Sequence, residues 1–354
     1  MEATIDTISP AGMAYGSLAA MLVNNNFDTD ALRPFVGPGG RTYVNRRNPT
    51  TNKDEAVFVH NATATLRKDD WIALDEALIK VAKPRLKVVG DLRSAGLTYT
   101  VPNGMAKTVL QFERVSDISP ATISMDGVRR SDSDRPLFDL VNLPLPIIHK
   151  DFHFTARQLA ASRAGMSPLD LTTAELAARQ VAEAAESLVL GTYGTYAFGG
   201  GNIYGYTNFP SRQTQSITVP TGSNQAVTLN EVLAMKQKSI NAKRFGPWML
   251  YCGLNWDQYM DGDYNLYQNQ TLRQRLRQIE GIVDVRTVDY LNTGYPLILV
   301  QQSSDVVRLV VGMEMTTVQW ETDGGMVQHF KVMTILVPQL RTDQNNSSGI
   351  VHGS

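Results

Sequence analysis

The spacing of apolar positions changes character several times along the chain. Residues 1–65 keep no sustained period. Asn, Thr, Gly and Pro recur there, most densely in "VGPGGRTYVNRRNPTTNKDE", and the pattern predicts an extended arm with little to bury. From Lys68, "KDDWIALDEALIKVAKPRL" sets Trp71, Leu74, Leu78 and Val81 at helical spacing. That predicts an amphipathic helix anchored by Trp71 and stopped by Pro84. Residues 97–142 switch to β-type runs broken by Pro, Asn-Gly and Asp-Gly. Within them "DGVRRSDSDRP" is dense in both signs of charge and reads as the tip of a long projecting hairpin. A hairpin with so little to bury is marginal alone, so this one is expected to lie on a neighbouring subunit.

Beyond it, "PLPIIHKDFHFTARQL" predicts a strand running into a helix, because Thr155 and Gln158 have the spacing of a capping box. A second such pair, Thr172 and Glu175, opens "TAELAARQVAEAAESLVLGTYG". There Leu176, Ala177, Val181, Ala184, Ala185 and Leu188 make one stripe, expected to be core, with small residues that permit close packing. Residues 216–305 alternate helical and strand patterns, as in a small α/β unit. "VVRLVVGMEMTTVQWETDGGMVQHFKVMTILVPQLR" predicts long strands around an Asp-Gly-Gly turn, and "TDQNNSSGIVHGS" reads as a polar tail.

Composition narrows the class. The 354 residues are 43% hydrophobic and 19% charged, an ordinary globular balance. No apolar run approaches the roughly 18 residues of a membrane span, and the acidic start lacks the basic segment of a signal peptide. One cysteine, Cys252, in the apolar stretch "PWMLYCGLNW", offers no disulfide framework, fits a reducing cytosol and reads as a buried thiol. With 33 Lys plus Arg against 34 Asp plus Glu, the net charge is −1, without the basic excess of a dedicated nucleic-acid binder.

Candidate chemistry then falls away piece by piece. His149 and His153 lie four apart, which on a helix would suggest zinc. Pro144 and Pro146 upstream, and the helix start at Thr155, place them on a strand instead. There they stand about 13 Å apart, too far for one ion whose nitrogen ligands lie at about 2.1 Å. "MDGDYNLYQNQT" offers Asp261, Asp263 and Asn265 like the start of a calcium loop, but Leu266 and Leu272 replace the required Gly and Glu, leaving an exposed polar loop. "FGGGNIYGYTN" lacks both the nucleotide-loop spacing and a following helix pattern. No nucleophile elbow, phosphate loop or Cys/His cluster occurs. The expectation is no enzyme, no cofactor and no metal.

Order and spacing carry a resemblance over Lys68 to about Arg341. "DDWIALDEALIKVAKPRLKVVGDL", then "GLTYTVPNG", then "PLPIIHKDFHFTARQL", then "AARQVAEAAESLVLGTYG", then "GGGNIYGYTN" and the closing strands together resemble encapsulins and tailed-phage major capsid proteins of the Hong Kong-97-type fold. The resemblance implies an α+β fold with an N-terminal arm (1–65), an E-loop (97–136), a P-domain with a long spine helix (66–96, 137–197 and 306–345), an A-domain (198–305) and a polar tail (346–354). It implies self-assembly as pentamers and hexamers into an icosahedral shell around double-stranded DNA, bound weakly and non-specifically, in a virion capsid assembled in the host cytoplasm. Scaffold, portal and decoration proteins are the further partners of that setting, and no membrane is involved. A near-neutral lining suits DNA that must be released. Arg129, Arg130, Asp132, Asp134 and Arg135 are then the expected intersubunit contacts. Asp261, Asp263, Tyr264 and Asn265 would form the loop at the capsomer axis. The long first 65 residues and the long hairpin lean toward a phage head; an encapsulin-type compartment enclosing a cargo enzyme is the alternative.

Overall fold

In the computed structural model, residues 33–37, 40–47, 54–59, 66–115, 119, 121–126, 128, 135–136, 138–164, 171–221, 224–265, 268–291, 294–343 and 347–354 are described. The described part of the expected arm is a three-stranded antiparallel sheet, not a bare extended chain: β1 (Phe35–Val36), β2 (Thr42–Arg47) and β3 (Asp54–Phe58). Tyr43 explains it. It pairs with Phe35 on one side and Phe58 on the other, with ring centroids 6.1 and 5.9 Å away, and such cross-strand aromatic pairs stabilise a small sheet.

Helix α1 (Lys68–Arg85) forms where expected, with Trp71, Leu74 and Leu78 buried. It does not stop at Pro84. A proline in the last turn removes one hydrogen bond without unwinding what precedes it, and the break comes at Leu86, where ψ is 64°. A second helix the periodicity did not announce, α2 (Lys87–Ser94), follows at once and buries Val88, Val89 and Leu92.

Next come β4 (Thr98–Thr100), the hairpin β5 (Val109–Val115) and β6 (Phe138–Pro144), and β7 (Ile148–Thr155). As the sequence predicted, His149 and His153 lie on the strand β7, and α3 (Ala156–Ala164) starts directly after Thr155. Gln158 N–H donates to Thr155 Oγ1 at 3.3 Å, and Thr155 N–H donates to Gln158 Oε1 at 2.9 Å, completing the box. The second box is displaced. Helix α4 (Thr172–Leu190) takes Leu171 as its cap without a side-chain bond, and Thr172 is already helical. Most of the expected stripe is buried, Ala177, Val181, Ala185 and Leu188, with Ala174, Ala178 and Val189 beside it, whereas Leu176 is 52% exposed. α4 ends at Gly191, whose φ of 87° suits only glycine at low cost.

Two sheets organise the rest. The four-stranded sheet runs β4-β16-β17-β7, built around the long antiparallel pair β16 (Val307–Thr322) and β17 (Val327–Leu340). These turn at Asp323, Gly324 and Gly325, all at positive φ, as the Asp-Gly-Gly signal predicted. Phe152, Phe154 and Phe330 from this sheet meet Trp71 of α1 and Ala177 and Val181 of α4 in one core.

The five-stranded sheet runs β10-β18-β15-β11-β14 and carries the α/β unit. It comprises β10 (Gln213–Gln215), β11 (Trp248–Gly253), β14 (Ile282–Val288), β15 (Leu297–Gln301) and β18 (Ile350–Gly353), with α5 (Gln225–Asn241) packed on it. Strand β18 overturns the expected polar tail. Ile350 and Val351 are fully buried between β10 and β15. Gly349 and Gly353 allow the tight fit: a Cβ on either would crowd Val306 or Ile217. Two apolar residues among polar neighbours are a full strand core when both strand neighbours supply the hydrogen bonds. Cys252, on the interior strand β11, is fully buried as expected, and burial pushes its thiol up to about 11.

Candidate assembly surfaces and the junction between the two sheets

The β5–β6 hairpin is rooted against the four-stranded sheet, where Leu110, Phe112 and Leu143 pack with Val310, Ile335 and Val337. Its root is tied down by Asn142, whose Nδ2 donates to Gly199 O at 3.1 Å on the glycine-rich turn formed by β8 (Tyr196–Phe198) and β9 (Gly201–Ile203). Gly201 is required there, since a Cβ would strike the Asn142 backbone. A cleft of about 380 Å³ opens beside this root among Phe112, Leu140, Tyr204, Phe209 and Leu340. Outward from the root the strands carry Val115 at 46%, Phe138 at 61% and Leu140 at 62% exposure. Ile123, Met125 and Val128 beyond them are more exposed still.

This changes the expected chemistry of the projection. Of the candidate contacts, Arg129, Arg130, Asp132 and Asp134 lie outside the described residues, and Arg135 is described and exposed. The described strands and outer part carry exposed apolar side chains at Val115, Ile123, Met125, Val128, Phe138 and Leu140, which the charged-segment reading did not include. Period-two alternation does show Val115, Phe138 and Leu140 in the sequence; the charges of "VRRSDSDRP" drew the reading away from them. Exposed apolar side chains clustered on one protrusion mark an interaction surface.

The expected axial loop is also more ordered than a polar loop. β12 (Asp263–Asn265) and β13 (Gln268–Thr271) pair antiparallel, which places Asp263, Tyr264 and Asn265 on a small hairpin. Asp261 stands at its base, where Arg273 Nε donates to it at 2.8 Å while Arg273 Nη2 donates to Asp257 at 2.7 Å. Asp257 belongs to the short helix α6 (Asp257–Met260), and the Thr287 hydroxyl and Arg273 hold its carboxyl below the usual carboxylate range. Helix α7 (Leu272–Arg277) closes the hairpin with a capping box of Thr271 and Gln274. Its Thr-x-x-Gln spacing was legible and was missed.

Sequence reasoning also missed a buried polar junction where α2 sits between α4 and the five-stranded sheet. Glu186 of α4 is fully buried and accepts hydrogen bonds from the Val88 and Val89 N–H groups at 2.6 and 3.3 Å, at the otherwise uncapped start of α2. One turn along α2, Asp91 is 3% exposed. It accepts from Tyr251 Oη of β11 at 3.2 Å and pairs with Arg286 of β14 at 2.7 Å. Around the rim, Asp289 binds Lys87 at 2.8 Å and Arg85 at 3.2 Å. Burial pushes both carboxyls up, Glu186 to about 7. The available signal was a glutamate on the apolar face of α4, between Ala182 and Val189.

Among the described residues no group of three or more His, Cys, Asp or Glu could hold a metal ion, and no helix is long and apolar enough to cross a membrane. Arg273 pairs with both Asp257 and Asp261.

Comparison with known proteins fits this architecture. The Type 1 encapsulin shell protein EncA of Myxococcus xanthus (strain DK1622) is 25% identical over 196 residues, which is 54% of this chain and 62% of that protein, so the match spans less than two thirds of the relative. The crystal structure of a virus-like particle from Pyrococcus furiosus superposes with a TM-score of 0.58 at 17% identity, over 80% of this chain and 99% of that one. The capsid of Myoviridae Phage XM1 gives 0.54 at 8% identity, over 70% and 85%. These likenesses establish the fold as Hong Kong-97-type α+β, the fold of shell-forming proteins. A family model described as "Family of unknown function (DUF6260)" matches residues 61–353, and the chain is a member of that family.

Proposed function

We propose that this chain is a major capsid protein whose copies gather into pentamers and hexamers and close an icosahedral shell around double-stranded DNA. The observation that carries the proposal is the β5–β6 hairpin, whose outer apolar side chains no described part of the subunit covers. A two-stranded ribbon is marginal in water on its own, and a second copy of the chain supplies the surface it needs. In this reading the hairpin is the E-loop and α4 is the spine helix. The two sheets centre the P-domain and the A-domain, and the β12–β13 hairpin at Asp261–Asn265 faces the capsomer axis. Arg129, Arg130, Asp132, Asp134 and Arg135 trim the apolar contact with charge, each exposed pair adding about 0–1 kcal/mol. The shell is the virion capsid, assembled in the host cytoplasm.

Similarity to the encapsulin shell protein favours a second reading, a compartment around a cargo enzyme. Size-exclusion chromatography and negative-stain microscopy of the purified chain test the shell. Spherical particles, or free pentamers and hexamers, are expected. Nuclease-protected DNA inside particles from a native source supports the phage head, and a co-purifying enzyme supports the compartment. The double variant Phe138→Ser/Leu140→Ser should stay folded by circular dichroism and fail to assemble. Unaltered particles from it would remove the hairpin from the interface, and a chain dispersed as monomer even under crowding would overturn the shell.

A further inference from the structure

We propose that Glu186 and Asp91 form a proton-operated latch: a proton on Glu186 keeps α2 docked between the long helix and the five-stranded sheet, and losing it loosens that dock. The inference concerns the single subunit and stands whether the shell encloses DNA or protein.

The geometry separates the two carboxyls. Asp91 has a cation, Arg286, at 2.7 Å, and Asp284 stands on the other side of that guanidinium, 3.2 Å from its Nε. Glu186 has no cation bonded to it. Its partners are two backbone N–H groups, and the nearest cation, Lys87, is engaged by Thr287 O at 3.1 Å and Asp289 at 2.8 Å. The other ionisable groups facing it are Asp91 from α2, Tyr206 from the segment after β9 and Tyr251 from β11. Glu183, one turn back on α4, is occupied by Arg179 and Arg85 on the rim. Tyr206 Oη is fully buried and lacks a hydrogen-bond partner among the described residues, so the pocket has spare donor capacity, while its only positive character is the α2 N-terminus and a Lys87 engaged elsewhere. A fully buried carboxylate in that setting is costly, and the neutral acid is favoured.

The position gives the proton leverage. α2 touches the long helix through Glu186 and the sheet through Asp91, so both faces of one short helix are held by carboxyl groups. Charging Glu186 adds a second anion to the junction, while the one guanidinium there, Arg286, is already shared by Asp91 and Asp284.

The sign follows from linkage. Glu186 titrates at about 7 in the closed junction and near the usual 4.5 once the junction opens to water. A raised acid stabilises the closed state fully below the open-state value, and that contribution is lost as pH rises through the closed-state value. Between pH 6 and pH 8 the closed junction should therefore lose about tenfold in its closing equilibrium.

Hydrogen exchange of the full chain, followed by mass spectrometry and corrected for the intrinsic pH dependence of exchange, reads this at the Val88 and Val89 amides. The expected result is about tenfold more opening at pH 8 than at pH 6 in the native chain, and no such change in Glu186→Gln, which holds the neutral shape. Equal protection of the native chain at both pH values would overturn the latch even if the variant failed to fold. An unchanged pH response in a folded Glu186→Gln would overturn it as well.

Discussion

Trp71 joins three parts of the subunit at once. Its ring meets Phe330 edge-on at a centroid distance of 6.1 Å, its Nε1 donates to Pro34 O at 3.0 Å, and the Arg33 guanidinium lies 4.6 Å above it while pairing with Asp75. Trp71→Ala should cost about 3–5 kcal/mol in denaturant unfolding, through the cavity and the lost anchor together. Trp71→Phe should cost much less, since it keeps most of the volume. Asp257 sets a pH dependence opposite to that of Glu186. Its carboxyl is held low by the Thr287 hydroxyl and Arg273, so its contribution is present above its ordinary value and lost as pH falls through the lowered one. Asp257→Asn should therefore be less stable than the native chain in denaturant unfolding at neutral pH, and the difference should shrink as pH falls through the lowered value. At this scale the sequence was readable where a residue's role depends on near neighbours. Trp71 and the strand-borne His149 and His153 were placed correctly. Glu186 and Asp91 were not, because what makes them unusual is burial against partners far away in sequence, with no cation bonded to Glu186, and no spacing along the chain records that.

Elements were legible in proportion to how locally they are determined. The box of Thr155 and Gln158 marked the start of α3, and the Asp-Gly-Gly turn fixed the β16–β17 pair, since both are decided by hydrogen bonds or backbone angles within a few residues. The Thr271 and Gln274 box has the same status, and Thr271→Ala should cost about 1 kcal/mol, seen as a lower midpoint in thermal unfolding. α2 and β18 went unread for a different reason. Neither carries a long period; each is held by partners far away in sequence. β18 takes its two strand partners from 213–215 and 297–301, and the polarity of "QNNSSG" before it concealed a strand whose two apolar residues are both buried. Removing residues 347–354 should abolish the cooperative unfolding transition of the α/β unit, with circular dichroism showing lost strand signal. A trim that left that transition intact would mean β18 is an accessory.

For the whole molecule, the physical character of the hairpin sets how a shell would respond to its solution. Exposed ion pairs weaken as salt screens them, with a Debye length of about 10 Å at 0.1 M and about 3 Å at 1 M, whereas apolar contacts hold or strengthen. Assembly driven by Phe138, Leu140 and Val115 should therefore persist from 0.1 to 1 M NaCl when followed by light scattering, and dissociation over that range would return the contact to the charged tip. The architecture itself was visible in the order of its patterns, helix, hairpin, capped helix, α/β unit and closing strands; the joints between them were not. One joint reaches further than stability. The five-stranded sheet receives its second strand, β18, only after the chain has left that sheet, built the whole of β16 and β17 in the other, and come back. The four-stranded sheet has all its strands by Leu340, but the five-stranded sheet stays open between β10 and β15 until residues 350–353 arrive. In the shell proposed above, only a subunit that has placed β18 would offer its neighbours both sheets complete.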